Sequence, residues 1–132
     1  MKFAIVVLTG LALVGSSWVM LQKSHAKEGD GPLLRHVVLF TFTEDATEDQ
    51  INKIVEGFRK LPEQIEGIAD FEWGTNNSPE GLTKGHTHCF LVTFKTEEAR
   101  DAYLPHPAHQ AFVTELKKIL DDVTVIDYWV KE

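Results

Sequence analysis

Hydrophobic and polar positions along this chain follow two periods, and the switches between them mark its elements. His36-Val37-Val38-Leu39-Phe40-Thr41-Phe42 is rich in β-branched and aromatic residues and reads as a first strand. Alternation puts His36, Val38, Phe40 and Phe42 on one face and Val37, Leu39 and Thr41 on the other. Both faces are largely apolar, so both call for cover. Thr47-Glu48-Asp49-Gln50 then has capping-box form, and Ile51, Ile54, Val55, Phe58 and Leu61 follow at helical spacing. Pro62 falls in or near the last turn of that helix, and Gly67 ends the region. Ile68 to Asn76 reads as a second strand with Phe71 and Trp73 on one face, followed by the turn-forming run NNSPEGLTKG. His86 to Lys95 alternates as a third strand, with His86, His88, Phe90, Val92 and Phe94 on one face. Thr96-Glu97-Glu98-Ala99 opens a helix that runs to Tyr103. Beyond a proline corner, Phe112, Val113, Leu116, Ile119 and Leu120 form another helical stripe, and Val123 to Val130 closes the chain as a fourth strand.

The order β-α-β-β-α-β is the ferredoxin-like pattern, an α+β fold with an antiparallel four-stranded sheet. Helices cover one face of such a sheet. The other would carry Val37, Leu39, Leu91 and either Tyr128 or Trp129, which predicts a homodimer formed through the open sheet face.

The corner itself is unusual. Tyr103-Leu104-Pro105-His106-Pro107-Ala108-His109 holds two prolines, two imidazoles and a tyrosine. Both prolines fix φ and lack an amide proton, so they interrupt the upstream helix, and Pro107 suits the first position of the next one. His109 then lies in a first helical turn with Phe112 on the same side, and the corner aims Tyr103 and His109 inwards.

The first residues differ from the rest. Lys2 precedes the apolar run from Phe3, and Ser24-His25-Ala26 offers small residues for a signal peptidase, so residues 1–26 read as a secretory signal peptide. The alternative is an uncleaved anchor, because Phe3 to Leu21 approaches the ~20 residues that span a bilayer. Residues 27–33 read as a polar, glycine-rich linker, and 34–131 as the domain; export to the periplasm or exterior is the expected destination. Residues 1–26 contain the lysines Lys2 and Lys23 and no acids, so their removal takes the net charge from −7 to −9. So acidic a domain is a poor phosphate binder, and nucleic acid is not an expected partner. The single cysteine, Cys89, excludes an internal disulfide framework and reads as a buried, inert thiol at an interface.

Candidate chemistry gathers on four residues. His36, His88, Tyr103 and His109 are placed to converge at one end of a space between sheet and helices, walled by Val38, Phe40, Ile54, Phe58, Phe71, Phe90 and Phe112. A mostly apolar cavity with a few polar groups is the usual form of a small-molecule site. A helix N-terminus disfavours a charged imidazole, which suits His109 to act as a base. His106 reads as a surface corner residue, and His86 as exposed at a loop–strand junction. His86-x-His88 with His106 and His109 raises the question of zinc, but no carboxylate or cysteine recurs at ligand spacing, so no metal is assigned. No phosphate loop, serine elbow or paired-carboxylate site is visible.

The run from His36 through Phe94, with Trp73-Gly74 and Thr87-His88, the corner Tyr103-x-x-His106-Pro107-x-His109, and the closing Val125-x-Asp127-Tyr128 together resemble the stress-responsive A/B barrel (Dabb) family. The resemblance covers roughly Leu34 to Val130 and implies a dimeric α/β barrel of ferredoxin-like subunits. The chain also looks like the olivetolic acid cyclase-like polyketide cyclases of that family. That likeness implies no cofactor, with His109 as base, Tyr103 orienting the imidazole or stabilising an enolate oxygen, and His36 and His88 positioning substrate. Val113 and Arg59 depart from those cyclases and imply a shorter ligand space. The leading expectation is an exported homodimer that binds a small, mostly apolar ligand, with cyclase- or lyase-like acid–base chemistry. Two alternatives stand beside it: a non-catalytic stress-response or assembly protein with structural histidines, and a monooxygenase-like barrel enzyme, for which no haem or flavin signature is visible.

Overall fold

The computed structural model describes residues 31–132; the segment read as signal peptide or anchor, and most of the linker, lie outside the described residues. Its element order is β1 (Leu34–Phe42), α1 (Glu48–Arg59), α2 (Leu61–Gln64), β2 (Ile68–Thr75), β3 (His88–Phe94), α3 (Glu97–Tyr103), α4 (Pro107–Leu116) and β4 (Leu120–Trp129). All strand pairs are antiparallel and the sheet order is β2-β3-β1-β4. This is the ferredoxin-like α+β fold, with β1 at its centre.

Local chemistry sets the helix starts. Thr47 Oγ1 accepts from the Gln50 amide at 3.3 Å while Gln50 Oε1 accepts from the Thr47 amide at 2.8 Å, so the capping box closes in both directions. Glu48 and Asp49 add negative charge at the positive end of the helix dipole. Thr96 caps α3 by accepting from the Ala99 amide at 3.1 Å. The cap of α4 is His106, whose Nδ1 accepts from the Ala108 amide at 3.1 Å, with Pro107 next in line.

Ile54, Val55, Phe58, Leu61, Phe112 and Leu116 bring the helices onto the sheet face formed by Leu34, Val38, Phe40, Phe90, Val92 and Phe94. An aromatic stack runs through this layer. Phe90 packs 4.7 Å from Phe58 and 5.1 Å from Phe40, centroid to centroid, and Phe58 lies 4.7 Å from Phe112.

Several boundaries differ from the sequence expectation. β1 starts at Leu34, ahead of His36, because Leu34 pairs with Phe94 on one side and Trp129 on the other. Pro62 sits in the separate short helix α2 and not in the last turn of α1. Ile119 and Leu120 are not part of the last helix: α4 ends at Leu116, and Leu120 already pairs with Phe42 in β4. Both are apolar and both pack on the core, so their spacing looks helical although the chain has changed direction. His86 lies before β3 and is buried, not exposed. Its Nδ1 bonds Thr41 Oγ1 at 3.0 Å and its Nε2 bonds Thr124 Oγ1 at 2.9 Å, pinning the β2–β3 loop under the open side of the sheet. That loop turns on Lys84 and Gly85, both with positive φ.

The open side carries Val37, Leu39, Cys89 and Leu91, together with exposed Ile126 and Tyr128. Tyr128 is the aromatic on that face. Trp129 turns to the helix side, where its Nε1–H donates to Glu97 Oε1 at 3.3 Å. Cys89 is exposed within the chain, and its burial would require a second surface.

Candidate functional site

Between β1, β4 and α4 lies a cavity of about 270 Å³, lined by His36, Val38, Phe40, Phe58, Tyr103, His109, Phe112 and Val113, and by residues of the α4–β4 turn and β4. Its walls are almost wholly apolar, and its polar lining residues are His36, Tyr103, His109 and Lys117. A larger, shallower groove of about 520 Å³ runs along the open side of the sheet past Val37, Leu39, His88, Cys89, Leu91 and Tyr128. The smaller space is the candidate site because it contains polar atoms that the fold leaves unused.

Tyr103 ends α3 and is fully buried, and its hydroxyl is, among the described residues, the one buried side-chain polar atom without a hydrogen-bond partner. Burial pushes that hydroxyl well above the ordinary tyrosine value, so it is a donor at any physiological pH. An unpaired buried hydroxyl costs about 1–3 kcal/mol. Tyr103→Phe should therefore raise the stability of the free protein by about 1 kcal/mol in chemical denaturation while weakening ligand binding. Lower stability in that variant would show that the hydroxyl is bonded in the free protein.

His109 stands at the third position of α4 because the Pro105–Pro107 corner restarts the helix there. Its Nδ1–H donates to the Leu104 carbonyl at 2.8 Å, which fixes the tautomer and leaves the Nε2 lone pair for the cavity. Burial lowers its pKa from the ordinary value near 6.5; the Leu104 carbonyl raises it by a lesser amount, and His36 and His106 lower it further. The result is a neutral imidazole at neutral pH. The His109 and Tyr103 rings lie 4.3 Å apart, centroid to centroid, yet the tyrosine hydroxyl does not bond the imidazole. Orientation of His109, expected of Tyr103, comes from the backbone of Leu104.

His36 enters from β1, where it pairs across the ladder with Asp127 of β4. Its ring packs edge-on to Tyr103 at 5.8 Å and to Phe94 at 6.4 Å. His36, Tyr103 and His109 thus meet, with Val38, Phe40, Phe58 and Phe112 around them.

The other expected residues do not join them. His88 pairs with Phe40 from the far side of β1, stacks parallel to Trp73 and meets Phe42 edge-on at 5.1 Å. It is absent from the cavity lining and borders the open-side groove instead. Ile54, Phe71 and Phe90 belong to the layer behind the cavity wall. Arg59, read as narrowing the ligand space, is on the surface and paired with Glu56, whereas Val113 does line the cavity. Among the described residues, no three His, Cys, Asp or Glu side chains are grouped as metal ligands would be.

Sequence reasoning overlooked Asp127 and Arg100 as site residues. Asp127 Oδ1 accepts from His36 Nδ1–H at 2.6 Å, and Arg100 Nη1 donates to Asp127 Oδ2 at 2.6 Å. The available signal was phase: Asp127 is the acid in the alternation Val123, Val125, Asp127, Trp129, on the helix-facing side of β4.

A family model, the stress responsive A/B barrel domain, matches residues 34–130. The stress-response A/B barrel domain-containing protein HS1 of Arabidopsis thaliana is 39% identical over 102 residues, covering 77% of this chain and 93% of that protein. Olivetolic acid cyclase of Cannabis sativa is 26% identical over 95 residues, covering 72% of this chain and 94% of the cyclase. Among solved structures, a dimeric ferredoxin-like protein of unknown function from Jannaschia sp. CCS1 is 26% identical with a TM-score of 0.66, covering 74% of this chain and 99% of that one. With the family model matching residues 34–130 and a 39% identical relative covered over most of its length, the chain belongs to the stress responsive A/B barrel domain family.

Proposed function

We propose that this protein binds a small, apolar carbonyl compound and moves a proton on the carbon beside its carbonyl group, without a cofactor. The observation that carries the reading is the pairing of an unused buried donor, the Tyr103 hydroxyl, with an unprotonated ring nitrogen on His109 in one apolar cavity. The donor suits an oxygen that becomes negative in the transition state, and the nitrogen suits the proton that leaves carbon. Apolar walls raise the worth of both by excluding water. Similarity to a protein named as a cyclase supports chemistry of this class. The test is deuterium incorporation beside the carbonyl of a medium-chain methyl ketone such as 2-nonanone in D₂O. Saturable acceleration that depends on His109 is expected; no acceleration by the wild-type protein would overturn the reading.

The protein acts as an exported homodimer in this proposal. The apolar open side, with Val37, Leu39 and Leu91 at its centre, and the dimeric relative support the assembly. The apolar run followed by Ser24-His25-Ala26 supports export. Light scattering of the purified protein should report two chains, and its intact mass should lack residues 1–26; a monomer, or an unprocessed chain, would count against the respective part.

A further inference from the structure

His36 is held by one nitrogen. Its Nδ1–H goes to Asp127, while Nε2 makes no bond among the described residues and the ring lines the cavity. Behind Asp127 stands Arg100, and behind Arg100 stands Asp101, which accepts from Arg100 Nε at 2.8 Å. Side-chain exposure is 64% at Asp101, 20% and 24% at Arg100 and Asp127, and 7% at His36, so the chain of bonds runs from solvent to the cavity wall. These four side chains bring two carboxylates, one guanidinium and one imidazole. With His36 neutral the set carries one negative charge, and a proton on Nε2 brings it to neutrality.

The contrast with His109 is chemical. His109 Nδ1–H meets a backbone carbonyl, which carries no formal charge, whereas His36 Nδ1–H meets a carboxylate. One imidazole is therefore held by a neutral acceptor and the other by a fixed counter-charge. The charged and titratable groups facing His36 are Asp127 from β4, Arg100 and Tyr103 from α3, and His109 from α4.

We propose that His36 is the proton-donating partner of His109, and that Asp127 and Arg100 are its positioning residues. The proposal rests on the acid–base reading given above. His109 Nε2 takes the proton from carbon, the C–H electron pair moves into the carbon–carbon bond, and the carbonyl π pair moves to oxygen. His36 Nε2–H gives its proton to that oxygen. An enol results, with His109 protonated and His36 neutral. Reversal returns a solvent-exchanged proton to carbon and restores both rings.

Asp127→Asn separates this role from mere packing. Arg100 Nη1 would claim the amide oxygen, so the amide NH₂ would face His36 Nδ1 and force the proton onto Nε2. Imidazole ¹⁵N shifts of the labelled full chain read this directly. At the pH of maximal exchange the expected result is His36 protonated on both nitrogens in wild type and on Nε2 alone in D127N. Ketone exchange should fall by about 10-fold or more in kcat with KM nearly unchanged, and the alkaline limb of its pH profile should change shape. Arg100→Lys should retain most of the rate and Arg100→Ala should not. A wild type whose His36 is neutral at the pH of maximal exchange, or an active wild type whose D127N variant keeps both rate and pH profile, would overturn the proposal alone. A wild type with no exchange activity would overturn the acid–base reading and the donor role of His36 with it.

Discussion

His109→Ala is expected to lower the exchange of 2-nonanone α-protons by about 10²- to 10⁴-fold, the usual worth of a positioned general base, with KM changed little. Binding should survive because the ketone's body is held by Val38, Phe40, Phe58, Phe112 and Val113, none of which the substitution touches directly in its chemistry. The loss should fall on kcat because Nε2 of His109 is the nitrogen that the Leu104 carbonyl leaves unprotonated. The direction of the pKa shift adds a second signature. Since burial lowers it from about 6.5, His109 stays a free base to more acidic pH than an ordinary histidine, and the acid fall of the wild-type profile should begin below that value. Stability follows the same sign. The unfolded chain binds a proton at the ordinary value and the folded chain resists it, so this contribution is fully present above about pH 6.5 and is lost as the pH falls through the lower, folded value. H109A should therefore flatten the stability curve on its acid side.

Phe90→Ala should destabilise the fold by about 3–5 kcal/mol. Phe90 has no exposed surface, and it touches Phe40, Phe58, Phe71 and Trp73 within 6.3 Å of centroid separation. Truncation removes the hydrophobic transfer of a full ring and leaves a hole that β3, paired on both edges, cannot close. For a domain of this size the denaturation midpoint should fall by roughly 15 °C or more. Phe90→Leu should recover much of the loss by refilling the space. Trp73→Ala is the comparison: its ring is 40% exposed, so removal should cost much less than Phe90→Ala. Equal losses at the two positions would contradict the layer order described for the core. The hole would open behind Phe40 and Phe58, so any surviving F90A protein should accept bulkier ketones.

What the sequence made legible was face and order. Alternation placed Phe40 and Phe90 on the helix side and Val37 and Leu91 on the open side, and the proline corner announced a helix restarting at Pro107 with His109 in its first turn. Distance across the sheet was not legible. His36 and His88 share a face, but only the order β2-β3-β1-β4 shows that β1 separates His88 from β4, along which the cavity runs. Register was equally hidden, because the pairing of His36 with Asp127 depends on how β1 and β4 slide past each other. His86 misled for a third reason. A histidine beside a glycine-rich loop looks solvated, and the two threonines that bury it sit on β1 and β4, far along the chain.

The central position of β1 also governs how the protein comes into being. Its neighbour β4 is the last of the described strands to be made, and the bond between His36 and Asp127 joins residues 91 positions apart. During synthesis β1 must wait, unpaired on that edge, until β4 has emerged. Such long-range pairing makes folding slower than in helical bundles, whose contacts are local. The cavity is therefore assembled late, because one of its walls is the strand that closes the sheet.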